Sequence, residues 1–231
     1  MALLDFHSGR YTEDIGTSSS LQEEDILPLP YLFRNFEEMP QLEKRALQLC
    51  NGRVLDIGCG AGNHSLHLQD QGVDVTALDN SLGAIEVCKK RGIRKTILGD
   101  ILGHSTETYD TLLLLMNGIG LAGTLASLPI FLRHLKVMLK PQGQIIVDSS
   151  DIIYMYDKDE DGGYWVPGNT DYYGEVRFQL HYKNKKGPVF DWLYLDFDTL
   201  KSYASNEGLN CEMIAQGEHY DYLAKLSQIE Y

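Results

Sequence analysis

Three glycines, Gly58, Gly60 and Gly62, fall within five positions of the stretch "VLDIGCGAG". Acids surround them: Asp56 stands two residues before the first glycine, and Asp79 and Asp100 close two later apolar runs, "VTALD" and "TILGD". Glycines at this spacing let backbone approach a ligand closely and adopt torsions that other residues avoid. A helix starting just beyond them presents free N–H groups. A carboxylate at Asp79 can accept hydrogen bonds from both hydroxyls of a ribose. Together these residues suit a nucleoside. The dinucleotide pattern needs a further glycine where Asn63 stands, so that match fails. Asp56 would repel a pyrophosphate and suits a ligand with an ammonium group.

S-adenosylmethionine meets those requirements: an adenosine, no phosphate and a zwitterionic methionine end. Here the sequence resembles the class I S-adenosylmethionine-dependent methyltransferases. "VLDIGCGAG" resembles the first motif of that family, "VTALDNS" the second, "LGD" followed by Ile101 the third, and "LKPQG" the late turn, over roughly residues 41–150. The resemblance implies that Gly58 and Gly60 line the methionine moiety, with Cys59 between them, and that Asp79, followed by Asn80, holds the ribose. It implies Asp100 and Ile101 beside the adenine, and Asn117 beneath the cofactor near the acceptor. His64 either touches the cofactor or caps the helix. In "PYLFRNF", Tyr31 would stack or hydrogen-bond over the cofactor and Arg34 would pair with the methionine carboxylate; the alternative is that Phe33 and Phe36 pin the segment while Arg34 faces water.

The elements that must position these residues are legible as alternation. Residues 1–40 read as a loose or docked arm. "QLEKRALQLC" has Leu42, Ala46 and Leu49 at helical spacing, stopped by Gly52. Strands are expected at Arg53–Ile57, Asp74–Asp79, Arg94–Asp100, Tyr109–Asn117 and Gln144–Ser150. Helices are expected between them, one capped by Ser81 and one with Pro129 in its first turn. Apolar strands separated by helices predict an α/β fold with a parallel sheet covered on both faces. With the family's topology this becomes a doubly wound, seven-stranded, mostly parallel sheet with a reversed C-terminal hairpin. After Asp151 the pattern changes: "EVRFQLHYK" and "VFDWLYLDF" alternate as an antiparallel hairpin. Asp198 is expected to cap a short helix, and two last strands lie near Cys211–Ala215 and Tyr220–Leu226. The chain reads as one methyltransferase domain, residues 1–231, with an arm (1–40), a cofactor-binding core (41–150) and an acceptor-side region (151–231).

The formal net charge of −13 disfavours a nucleic-acid partner, which needs positive surface. The longest apolar run, Leu112–Met116, is too short to span a bilayer. Four scattered cysteines without metal-ligand or redox spacing, and no secretory leader pattern, point to a reducing cytoplasm. "DKDEDGG", from Asp157, begins like a calcium loop, but Gly168 stands where that loop needs its twelfth-position glutamate, so no metal is expected. Candidates for a general base are His181, Tyr154 and His219, although methyl transfer can proceed by positioning alone. The signatures of amide, adenine and cytosine C5 methylation are missing. A small-molecule acceptor is expected, in an enclosed cavity lined by aromatic side chains. The alternatives are a protein acceptor, a non-catalytic S-adenosylmethionine-binding module and an NAD-dependent oxidoreductase.

Overall fold

The computed structural model describes residues 1–21, 23–104, 107–159, 161–166, 168 and 170–229. Its elements in chain order are α1 (Ala2–His7), β1 (Ile15–Ser19), β2 (Glu24–Leu27), α2 (Gln41–Leu49), β3 (Arg53–Ile57), α3 (Asn63–Asp70), β4 (Asp74–Asp79), α4 (Leu82–Lys90), β5 (Thr96–Leu98) and β6 (Tyr109–Leu114). They continue with α5 (Leu128–Val137), β7 (Leu139–Ser150), β8 (Glu175–Tyr182), β9 (Lys185–Leu193), α6 (Phe197–Asn206), β10 (Leu209–Gln216) and β11 (Asp221–Gln228).

Seven strands form the main sheet in the order β10-β11-β7-β6-β3-β4-β5. Six point the same way, and β11 alone runs antiparallel, between β7 and β10, giving the reversed C-terminal hairpin. Chain order reverses at the β3–β6 junction, where open α/β sheets bind their ligands. The central strands are continuous apolar runs because both faces are covered. On one face Leu55, Leu112, Leu114, Ile145 and Val147 pack under α5 and α6; on the other Val54, Leu113 and Ile146 meet Leu42, Ala46 and Leu47 of α2 and Leu68 of α3.

The arm is not loose. β1 and β2 join the β8–β9 hairpin in a second, antiparallel sheet of order β2-β1-β8-β9. Asp5 of α1 accepts hydrogen bonds from Tyr182 (3.3 Å) and Lys183 (2.8 Å), and Ala2, Leu29 and Tyr182 share a small core. Val176, Phe178, Phe190 and Trp192 occupy one face of this sheet, and Trp192 lies on the 3-10 turn Gly118–Ala122, so tightly that a Cβ at Gly120 would strike its ring. The second sheet therefore roofs the C-terminal ends of β6 and β7. Among the described residues no helix is long and apolar enough to cross a membrane.

One cap differs from the expectation. α6 is capped by Asp196, whose carboxylate accepts from Thr199 N (2.9 Å), while Asp198 lies in the first turn. The hydroxyl of Tyr172 donates to Asp196 (2.6 Å) and fixes it there.

Candidate functional site

The glycine loop follows β3. Gly58, Gly60 and Gly62 all take left-handed torsions, with φ of 75°, 54° and 82°. Gly58 N and Cys59 N donate to Leu78 O at the end of β4. Asp79 completes the tie: one oxygen accepts from Gly60 N (2.9 Å), the other from Ser81 N (2.7 Å). Burial raises its carboxyl above the usual range, opposed by those N–H groups. Asn80, next in the chain, is exposed. A Cβ at Gly60 would meet nothing within 4 Å, whereas one at Gly62 would run into Ile93 and Cys88. Gly60 thus faces open space and Gly62 is a packing glycine. Asp56 turns inward: it is buried, accepts from Ser65 Oγ (2.6 Å) and so anchors the first turn of α3. Cys59 is also buried, its sulfur 3.7 Å from that of Cys88.

A second group comes from the segment before α2. Arg34 is 5% exposed; it donates to Tyr31 O (2.5 Å) and pairs with Glu43 of α2, while Tyr31, itself 40% exposed, lies under the guanidinium with its ring centre 3.9 Å away. Glu43 also bonds His64 Nε2 (2.8 Å). Burial alone would raise the Glu43 carboxyl, but His64 and Arg34 outweigh it and hold it below the usual range. Arg34 Nε is buried without a hydrogen-bond partner. Phe36 stacks on His67. Glu43 escaped the sequence reading; its signal is a charge next to the apolar positions Leu42, Ala46 and Leu47 of α2.

The third group sits where β6 ends. Met116 and Asn117 both have left-handed backbone, with φ of 66° and 57°, which is uncommon outside glycine and costs about 1–3 kcal/mol at each position. Asp148 at the end of β7 holds this turn, accepting from Gly118 N (2.8 Å) and Met116 N (3.1 Å). Burial pushes its carboxyl up to about 6. The Asn117 amide donates to Leu193 O (3.1 Å) and accepts from Ser149 Oγ (3.0 Å), tying β6 to the roof. Asp148 was also missed, although it is one more acid closing an apolar strand.

Other candidates lie further out. Asp100 caps a 3-10 turn through Leu102 N (2.8 Å), and Ile101 packs into the main core beside Leu78. His181 leaves β8 on the face opposite Phe178 and Tyr182, over Gly16, because the strand alternates. His219 is exposed in the β10–β11 turn. Tyr154 is 51% exposed and stacks on Tyr220 with ring centres 5.0 Å apart. A cavity of about 600 Å³ at this end of the sheet lies against β10, β11 and α6, lined by aspartates (Asp151, Asp196, Asp198, Asp221) as well as aromatics. In the acidic stretch from Asp157, Asp159 turns back to accept from Gly163 N (2.6 Å); Glu160, Pro167 and Asn169 lie outside the described residues.

A family model described as a methyltransferase domain matches residues 54–143. The structure is similar to that of a SAM-dependent methyltransferase from Bacteroides fragilis in complex with S-adenosyl-L-homocysteine. The two are 42% identical, with 98% of this chain and 92% of that chain covered and a TM-score of 0.91. The chain belongs to the S-adenosylmethionine-dependent methyltransferases. Two further likenesses are of fold alone. The CcbJ methyltransferase from Streptomyces caelestis is 13% identical, with 84% and 98% of the chains covered and a TM-score of 0.63. CalS10, an amino pentose methyltransferase from Micromonospora echinaspora, is 14% identical, with 84% and 94% covered and a TM-score of 0.58. The comparison with curated proteins gives no match.

This methyltransferase has features that fit its cofactor, S-adenosylmethionine. The space at Gly60 is free of protein atoms, the Asp79 oxygens keep lone pairs beyond the N–H bonds they accept, and the orphaned Arg34 Nε is a buried donor matched to a carboxylate. Bound S-adenosylmethionine supplies a methyl group that its sulfonium makes electrophilic.

Proposed function

We propose that this methyltransferase acts on a small-molecule acceptor. Gly58 and Gly60 would receive the methionine end of the cofactor, Asp79 the ribose, and Arg34 the methionine carboxylate. The observation that carries the acceptor reading is the roof. Its inward face bears Phe178, Phe190 and Trp192, and Tyr194 follows at the end of β9; all four are only half-buried although they face the strand ends. Aromatic side chains left half-exposed on the face turned toward the strand ends are suited to packing on a small acceptor and aligning its nucleophile. Asn117 and Trp192 fix the roof against β6 and its turn, which favours a small acceptor over a protein side chain. The amino pentose methyltransferase named above shares the architecture.

The experiment is S-adenosylhomocysteine release with metabolite-sized compounds set against protein acceptors. Turnover only with macromolecules would overturn the reading. The cofactor assignment is checked separately: Arg34→Ala should weaken S-adenosylhomocysteine at least tenfold yet leave methylthioadenosine, which lacks the carboxylate, within about twofold. Equal losses for both ligands would remove Arg34 from the carboxylate.

A further inference from the structure

Asp148 lies where β7 ends beside the strained turn at Met116–Asn117, at the end of the sheet that the roof closes. Its two oxygens accept from backbone N–H groups, yet each keeps a lone pair, and the residue is half-buried, not sealed in the core. Among the described residues no lysine or arginine forms an ion pair with it. The titratable and charged groups around it are Glu43 from α2, His64 from α3, and Tyr31 with Arg34 from the segment before α2; the Arg34 charge is already matched by Glu43. A half-buried carboxylate with spare lone pairs and no cation of its own, with the Tyr31 ring nearby, is a receptor for a cation.

Building on the small-molecule reading, we propose that Asp148 binds the ammonium group of an amine acceptor and takes its proton, so that the reaction is N-methylation. The ammonium passes one proton to the carboxylate. The freed nitrogen lone pair forms the N–C bond, the electron pair of the broken C–S bond stays on sulfur as S-adenosylhomocysteine forms, and the product leaves as an N-methylammonium. Asp148 then returns its proton to solvent. Burial pushes this carboxyl up to about 6, close enough to neutral pH for both steps.

The test uses benzylammonium and benzyl alcohol, which match in shape and differ in charge, titrated calorimetrically into the enzyme saturated with S-adenosylhomocysteine. At pH about 8 benzylammonium should bind at least tenfold more tightly than the alcohol. In Asp148→Asn that margin should vanish while S-adenosylhomocysteine binds within twofold of wild type. No margin in wild type, or a margin that survives the substitution, overturns the proposal. So does a tenfold loss of S-adenosylhomocysteine affinity in Asp148→Asn, which would assign the carboxylate to the ammonium of the cofactor. Should that variant not fold, the wild-type margin itself is followed from pH about 8 to about 5: it should shrink as Asp148 takes up a proton, and a constant margin overturns the proposal. A wild-type protein that binds no S-adenosylhomocysteine would sink the cofactor-site reading beneath it, whereas binding without the margin sinks the amine inference alone.

Discussion

Gly60 and Gly62 share a left-handed backbone and differ in what surrounds them. Alanine at either costs about 1–2 kcal/mol in torsional strain. At Gly60 the new methyl meets no protein atom, so Gly60→Ala should lose little more than that strain while weakening S-adenosylhomocysteine tenfold or more. At Gly62 it meets Ile93 and Cys88, so Gly62→Ala should be the less stable of the two in urea unfolding. Unchanged affinity in Gly60→Ala would remove the loop from the cofactor site. Asp148 yields a pH prediction. Its folded carboxyl sits at about 6 against an ordinary 3.8, so the folded state holds the proton more tightly than the unfolded chain. The stability it contributes is complete below about 4 and is lost as pH rises through about 6, an upper bound of roughly 3 kcal/mol. Urea midpoints of wild type should therefore fall relative to Asp148→Asn between pH 4 and 7, both values approximate; parallel curves would mean that the carboxyl is not shifted. These residues were unequally legible. Asp56, Asp79 and Asp100 announce themselves by closing apolar strands. Glu43 does not, because an acid beside a helical apolar stripe reads as solvent-facing; it is buried only because Arg34, nine residues earlier, folds back onto it.

The βα units were legible as elements because each strand of the parallel sheet must be apolar on both faces and each helix on one. The second sheet was half legible. Strict alternation in "EVRFQLHYK" marks β8, but β1 reads "IGTSS", with no alternation of apolar residues, and becomes a strand by pairing with β8 across more than 150 residues of chain. Pairing at that range leaves no local trace, so the arm that reads as loose or docked in the sequence supplies two of the four strands of the roof. The α6 cap shows the same limit in miniature. Asp196 and Asp198 both precede a helical run, and local pattern cannot choose between them; the Tyr172 hydroxyl, 24 residues upstream, selects Asp196. Asp196→Ala should thus cost about 1 kcal/mol (roughly 0.5–2), whereas Asp198→Ala loses only its interaction with the helix dipole, about 0.3–1 kcal/mol. Denaturation midpoints with Asp198→Ala as the larger loss would return the cap to the sequence-based position.

At the scale of the molecule, the main sheet and the roof are different layers with different stabilities. Val54, Leu55, Leu112, Leu113 and Ile146 are fully buried, so β3, β6 and β7 should exchange their amide hydrogens only on global unfolding. β2 is a short edge strand with three exposed residues of four, Ile26 among them, and should exchange through local opening. The roof between these extremes is tied down by Trp192 on Gly120, Leu193 in the main core, Asn117 to Leu193, Leu125 to Glu175, and Asp5 to Tyr182 and Lys183. A ligand that binds only the folded state raises protection where it bridges elements. S-adenosylhomocysteine held as proposed, by the glycine loop, Asp79 and Arg34, would join β3, β4 and the segment before α2, and would touch neither β1 nor β2. Exchange followed by mass spectrometry, with and without S-adenosylhomocysteine, should therefore show slowing in peptides covering 29–43, 57–66 and 79–84. Peptides covering 15–27 should be unaffected. If slowing appeared in 15–27 and not in 57–66, the ligand would be sitting against the roof, and the glycine loop would lose its place as the cofactor cradle.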